Sequence, residues 1–368
     1  MTTGFFWDER CFWHAGGNYA FTLPLGGLIQ PLAAGGLPES PETKRRMKNL
    51  MDVTGLTAEL AAQSAPMATR KMLERVHPSS YLDSFKSLSD AGGGELGHHA
   101  PFAQGGYEIA ALSAGLAVGA VTAVASGGLQ NAYALSRPPG HHCTADTPQG
   151  FCLLANIAIA IEEARAQGLV QRVAVLDWDV HHGNGTESIF YDRDDVLTIS
   201  LHQEGNYPLN SGALADRGTG AGEGFALNLP LYAGAGHTAY LHAMDRVVIP
   251  ALEAFKPDMI IVACGFDASS IDPLARMQAT AETFGEMTRK IKETAATLCD
   301  GRLVLVHEGG YSEVYVPFCG HAALTALSGS DIHAPDPMAK SLELRQPSQD
   351  FDAFLRQSID AMALELEL

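Results

Sequence analysis

The chain has 368 residues, 46% apolar and only 18% charged, enough to bury the core of one large α/β domain or of two smaller ones. Its formal charge of −18 speaks against a nucleic-acid backbone as partner, because such binding rests on clusters of Lys and Arg, and it fits a cationic substrate better. Six cysteines (Cys11, Cys143, Cys152, Cys264, Cys299, Cys319) include no CxxC pair, which speaks against a structural zinc cluster and against a secreted disulfide framework. No basic segment followed by an apolar run opens the chain, and the longest apolar stretches are broken by Gly or charge short of a membrane span, so the expectation is a cytoplasmic protein without membrane contact.

In chain order, residues 11–41 are rich in Gly, Pro and aromatics without periodicity, and the whole of 1–41 reads as an N-terminal loop region. Helical spacing marks residues 107–125, 157–166, 237–255 and 281–298. Between most of them fall short apolar or β-branched runs at 132–135, 173–176, 196–201, 259–264 and 303–306. That alternation predicts a single α/β domain over 1–368 with a mostly parallel central sheet flanked by helices. A tail over 330–368 carries Pro335, Pro337 and Pro347 and ends in an amphipathic stretch at 351–366, a helix to pack on the domain or on another subunit of a homo-oligomer.

Four polar clusters begin where strand candidates stop: SRPPGHH (136–142), DWDVHHGNG (177–185), GFD (265–267) and HEGGY (307–311). In an open parallel sheet, ligands bind outside the carboxyl ends of the strands, so these clusters should meet at one crevice. In extended chain, side chains two apart point the same way, which puts Asp177, Asp179 and His181 on one side and His182 on the other. Asp179 and His181, with Asp267 from its own strand end, make three ligands with an open position, the pattern of a catalytic Zn2+ site; iron(II) or cobalt(II) suits the same donors, and a salt-bridged polar cluster is the bland alternative.

His141 and His142 follow a rigid Pro138-Pro139-Gly140 turn and can line one pocket floor, where a neutral imidazole is the natural base near neutral pH. Asp177 and Asn184 are available to hold them, the carboxylate raising a histidine's basicity far more than the amide. Gly309 and Gly310 let the backbone approach the site, with the Tyr311 phenol at the end as an oxyanion donor or as a packed ring.

Taken together, LSRPPGHH, GFC at 150–152, DWDVHHGNGT, TISLH ending at His202, GFDASSIDPLA and HEGGY resemble the zinc-dependent histone deacetylase superfamily, and within it the class II-like bacterial histone deacetylase-like amidohydrolases, over roughly residues 40–330. The resemblance implies an arginase/deacetylase-like fold and hydrolysis of the acetyl-amide of lysine or of a small acetylated amine. It implies one catalytic Zn2+ on Asp179, His181 and Asp267, with His142 as general base and acid, His141 as its electrostatic partner, Asp177 orienting His141, Asn184 behind His142, and Tyr311 as oxyanion donor. Asparagine at 184, where many relatives have aspartate, matches the class II pattern.

By the same resemblance one or two structural K+ ions are implied. The inner would take Asp177, Asp179, His181, Ser200 and Leu201; the outer, carbonyls of Phe190, Arg193, Val196 and Phe225. An apolar substrate tunnel is implied at Gly150, Phe151, Tyr207 and Leu274, with Gly309 and Gly310 beside it. The rim aspartate of many relatives has no clear counterpart near His98 and His99. Leu274 favours acyl-lysine over an acetylpolyamine, whereas Glu95 and the overall acidity leave the polyamine open. A two-metal arginase-like hydrolase and a non-catalytic acyl-lysine binder are the remaining alternatives.

Overall fold

Runs that are apolar along their whole length have no polar face to offer water, and strands of that kind are stable only when covered on both sides. In the computed structural model, which describes residues 2–29 and 36–368, the five expected runs form the middle of an eight-stranded sheet. In chain order its strands are β1 (Thr3–Phe6), β2 (Ala61–Gln63), β3 (Asn131–Ala134), β4 (Val173–Asp177), β5 (Val196–Gln203), β6 (Ala226–Leu231), β7 (Met259–Cys264) and β8 (Leu303–His307). Across the sheet they run β6-β5-β4-β7-β8-β3-β1-β2, every pairing parallel. The register matters for function. Asp177 pairs with Ala263 and Ser200, Cys264 with His307, and Ala134 with Val306, so the segments that leave β3, β4, β7 and β8 emerge side by side at one edge.

Helices cover both faces, among them Glu42–Thr54, Gly106–Ala125, Asn156–Ala166, Ala281–Leu298 and Val316–Ser328. The expected helix over 237–255 is continuous but contains a widened π turn at Met244–Val248. One expectation is corrected here. Gly106–Ala125 is long and apolar enough to cross a membrane by length and composition, its glycines being no interruption, and most of it is buried inside the fold. A helix that is apolar all round is what a position covered on all sides requires.

The N-terminal residues are not loop throughout. Thr3–Phe6 is a sheet strand between β3 and β2, a 3-10 turn follows at Glu9–Trp13 with Asp8 as its cap, and Tyr19–Ala20 pairs with Leu23–Pro24 in an antiparallel hairpin. TGFF is too short, and too mixed in character, to announce itself as a strand. Residues 30–35 of the expected loop lie outside the described residues. In the tail, Gln349–Glu365 packs on the domain against the His237–Ala243 helix and β6, burying Leu355, Ile359, Met362 and Ala363. All six cysteines are free and buried.

A fully buried ion cluster ties the N-terminal segment to the core. Arg137 donates through Nη1 to the carbonyls of Cys11 and His14 and through Nε and Nη2 to Glu39, and Lys44 Nζ lies 2.9 Å from Glu39 Oε1. Burial works to raise the Glu39 carboxyl, yet the Arg137 and Lys44 charges outweigh it and hold it down at about 2. Removing this one carboxylate leaves two buried cations unpaired, so Glu39→Gln should cost about 3–5 kcal/mol in urea unfolding at neutral pH. Because the carboxyl is depressed in the folded state, its contribution is present above the ordinary value of 4.5 and lost as pH falls toward about 2, and the difference between wild type and variant should shrink over that window.

Candidate active site

Beyond β4 the chain bends over residues 179–181 instead of staying extended, so the expected common side for Asp177, Asp179 and His181 is not kept. Asp179 and His181 turn to one side, where Asp267 arrives from the end of β7: His181 Nδ1 lies 3.0 Å from Asp179 Oδ1 and 3.1 Å from Asp267 Oδ2. The other carboxylate oxygens are held by main-chain donors from neighbouring segments, Val180 N to Asp267 Oδ1 at 2.8 Å and Gly309 N to Asp179 Oδ2 at 2.8 Å. Gly309 has to be glycine, because a Cβ there would stand 2.2 Å from Asp267 Oδ2 and 2.5 Å from Asp179 Oδ2.

All three side chains are buried, with one donor atom from each lying within 4.8 Å of the others. Burial opposes charge on His181, but Asp267 and Asp179 outweigh it and push the imidazole up to about 10; burial and Asp179 push Asp267 up to about 6. Two carboxylates around one imidazole are an excess of buried negative charge that a cation would neutralise, and one nitrogen with two oxygens is a donor set that fits a divalent metal of the zinc or iron(II) kind.

Asp177 turns away from that triad. Its Oδ2 lies 2.9 Å from His141 Nδ1, while Asn184 Oδ1 lies 2.8 Å from His142 Nδ1, and the two imidazole rings are 3.9 Å apart. The partners separate the two rings. Burial alone would keep His141 neutral, but the Asp179 and Asp177 carboxylates hold its basicity well above the ordinary value. His142 is pushed well below by burial and then by His141 and His181, the Asn184 amide doing little to oppose them. Since an amide oxygen only accepts, His142 Nδ1 carries the hydrogen, which leaves Nε2 as the lone pair of a neutral base.

Sequence reasoning passed over Glu308. Its buried Oε2 accepts from Gly140 N at 2.7 Å and His141 N at 3.0 Å, so it grips the main chain of the histidine turn, and Cys152 Sγ accepts from His142 N. The signal was the HEGGY motif itself, in which only the glycines and the tyrosine drew attention.

A cavity of about 200 Å³ opens above these groups, lined by His142, His181, Gly150, Phe151, Tyr207, Leu274 and Tyr311, with Thr22, His99 and Asn206 also in its lining. Gly150 has φ +54 and a Cβ on it would lie 2.4 Å from His142 Cδ2, so no other residue fits against that ring. Phe151 and Tyr311 meet edge to face at 5.7 Å. Burial, reinforced by Asp267 and Asp179, raises the Tyr311 phenol well above its ordinary value and keeps it a donor. Gly309 and Gly310 are not among the lining residues: Gly309 packs behind the carboxylates, and Gly310 against Val316 and Phe266. Thr22, from the N-terminal hairpin, was not foreseen, because nothing local in the sequence links residue 22 to these strand ends.

Of the residues assigned to K+ by resemblance, Asp177 and Ser200 share a small cavity beside β4 and β5, where Ser200 Oγ contacts His202 Nδ1 at 2.9 Å. Leu201 is the next residue of β5, paired with Leu229. In the outer set, the turns carrying Phe190, Arg193 and Val196 and carrying Phe225 meet, with Thr198 N donating to the Phe225 carbonyl and Arg193 N to that of Phe190. His182 faces away from the cavity, between Ser211 Oγ and Glu187 Oε2.

The arrangement can bind a cation beside a neutral base and a phenol donor at the floor of a narrow apolar cavity, the equipment of a metal-assisted hydrolase. Comparison with known proteins agrees. Residues 37–327 match the histone deacetylase domain family. The chain is 57% identical to a histone deacetylase-like amidohydrolase of Pseudomonas aeruginosa, over 100% of this chain and 96% of that protein, and 35% identical to a probable deacetylase of Archaeoglobus fulgidus over 90% of each. The crystal structure of the HDA15 HD domain superposes with a TM-score of 0.81 at 30% identity, covering 100% of this chain and 99% of that one. The chain is thus an enzyme-family member with an arginase/deacetylase fold; it belongs to the histone deacetylase family.

If Glu308 does no more than hold the histidine turn, Glu308→Ala should lower kcat by about 10- to 100-fold with little change in KM. Glu308→Gln, which keeps an acceptor for Gly140 N and His141 N, should recover most of the loss in steady-state assays.

Proposed function

We propose that this chain is a zinc-dependent amidohydrolase that removes acetyl groups from the ε-amine of lysine in peptides or proteins. The observation that carries the reading is the convergence of Asp179, His181 and Asp267 with His142 and Tyr311 around one cavity. Zinc held by the three ligands would supply Lewis acidity toward the acetyl carbonyl and its attacking water. The protein supplies the rest. Phe151, Tyr207 and Leu274 enclose the four-methylene stem and exclude water from it. His142 Nε2 takes the proton of the attacking water, and the resulting imidazolium returns it to the leaving amine. The Tyr311 hydroxyl donates to the oxygen that becomes negative, and His141 with Asp177 holds the adjacent positive charge in place. Potassium on the Asp177 and Ser200 side would serve structure, not chemistry.

The lining of the mouth favours acyl-lysine over an acetylpolyamine. Glu95, close enough to act on Tyr207, is engaged by Ala100 N at 3.0 Å and by the Tyr19 hydroxyl at 3.4 Å, and among the described residues the lining contributes Thr22, His99, Asn206 and Leu274 but no carboxylate to receive a second ammonium.

Tyr311→Phe should lower kcat on an acetyl-lysine peptide by about 100- to 1000-fold while hydroxamate affinity stays nearly unchanged. The metal-loaded wild type should show one equivalent of zinc per chain and a higher kcat/KM for that peptide than for acetylputrescine. Two metal equivalents would favour arginase-like chemistry, and binding of acyl-lysine without cleavage would sink the enzymatic reading.

A further inference from the structure

Asp272 is a buried carboxylate outside the proposed catalytic set. Its two oxygens serve two different walls of the cavity: Oδ2 accepts from Tyr311 N at 2.7 Å and Oδ1 from Leu274 N at 2.9 Å. No Lys or Arg pairs with it among the described residues, although Asp267 lies close enough to add its own negative charge to the cost of burial. A carboxyl kept in such a place without a counter-ion must repay that cost through what it holds.

What it holds is anchored in series with the metal-ligand carboxylates. Gly309 donates to Asp179 Oδ2 and its carbonyl accepts from Phe266 N, Gly310 turns the chain at φ +125, and Asp272 is the next anchor before the phenol, at the Tyr311 amide itself. Leu274 is gripped at its other end by Asn206, whose Nδ2 lies 3.2 Å from the Leu274 carbonyl. Tyr311, Leu274 and Asn206 all line the cavity. A shift at the Tyr311 amide is carried through the whole length of the side chain to its hydroxyl, and a displacement of about 1 Å at a reacting centre can cost about 100-fold in rate.

We infer that Asp272 is a positioning residue that sets the Tyr311 hydroxyl and the Leu274 wall relative to each other, and so governs turnover and acyl-chain preference together. The inference rests on the reading of Tyr311 as the oxyanion donor. A cycle of Asp272→Asn, Tyr311→Phe and the double variant tests it. An asparagine accepts through one oxygen only, so one of the two main-chain bonds is lost.

Asp272→Asn should reduce kcat on an acetyl-lysine peptide by about 10- to 100-fold. It should also raise turnover of propionyl- and butyryl-lysine relative to acetyl-lysine, with metal content and hydroxamate affinity unchanged. In the Tyr311→Phe background the same change should cost little further, because both act through one hydroxyl. If Asp272→Asn does not fold, Asp272→Glu, which keeps the carboxylate and displaces it by one methylene, runs the same cycle. Penalties that multiply, or a loss of turnover explained by lost metal, would overturn the inference. Normal turnover by Tyr311→Phe alone would instead bring down the reading of Tyr311, a different failure seen in a different arm.

Discussion

Asp179 and Asp267 place two carboxylates out of water around a single imidazole, and much of the molecule is arranged to make that tolerable. Each takes a main-chain donor from another segment, and these donors reach them because β4, β7 and β8 are adjacent and in register. A parallel sheet delivers several strand ends to one edge without spending loop length on the meeting. The remaining negative charge is of the kind a metal cation removes, and cation binding would release whatever proton His181 carries.

The two histidines of the PPGHH turn show how one short segment is given two chemistries. Their backbones are adjacent and both rings are buried, so neither sequence position nor burial distinguishes them. The partner does. Asp179 and Asp177 keep positive charge on His141, and burial together with that charge depresses His142, which has only the Asn184 amide behind it. Replacing the amide by a carboxylate would weaken this division, since both rings would then be driven toward the same state.

Much of this was legible in the sequence where side chains themselves carry the function. The five central strands are built on short runs rich in apolar and β-branched residues, and Asp179, His181, Asp267, His141, His142 and Tyr311 are residue types whose chemistry is visible at strand ends. The edge strands β2 and β6 were missed because an edge position tolerates short or mixed sequence, including Pro230 in β6, and β1, although paired on both sides, because four residues are too few to show a pattern. Glu308 and Asp272 were missed for another reason. Both work on main-chain N–H groups, which leave no mark in the side chains they serve. Gly309, expected beside the tunnel, lies behind the two carboxylates, which its small size admits.

Arg137 connects the site to the part of the chain that looked least structured. It stands in the same SRPPGHH motif as the two histidines, yet its guanidinium points the other way, into the carbonyls of Cys11 and His14 and the carboxylate of Glu39. The hairpin that sends Thr22 to the cavity mouth lies between those anchors in sequence. One motif therefore supports the base at the floor of the cavity and the strap across its mouth. Because Lys44 shares Glu39 with Arg137, the Glu42–Thr54 helix is joined to the same anchor, and loosening it would release floor and mouth together.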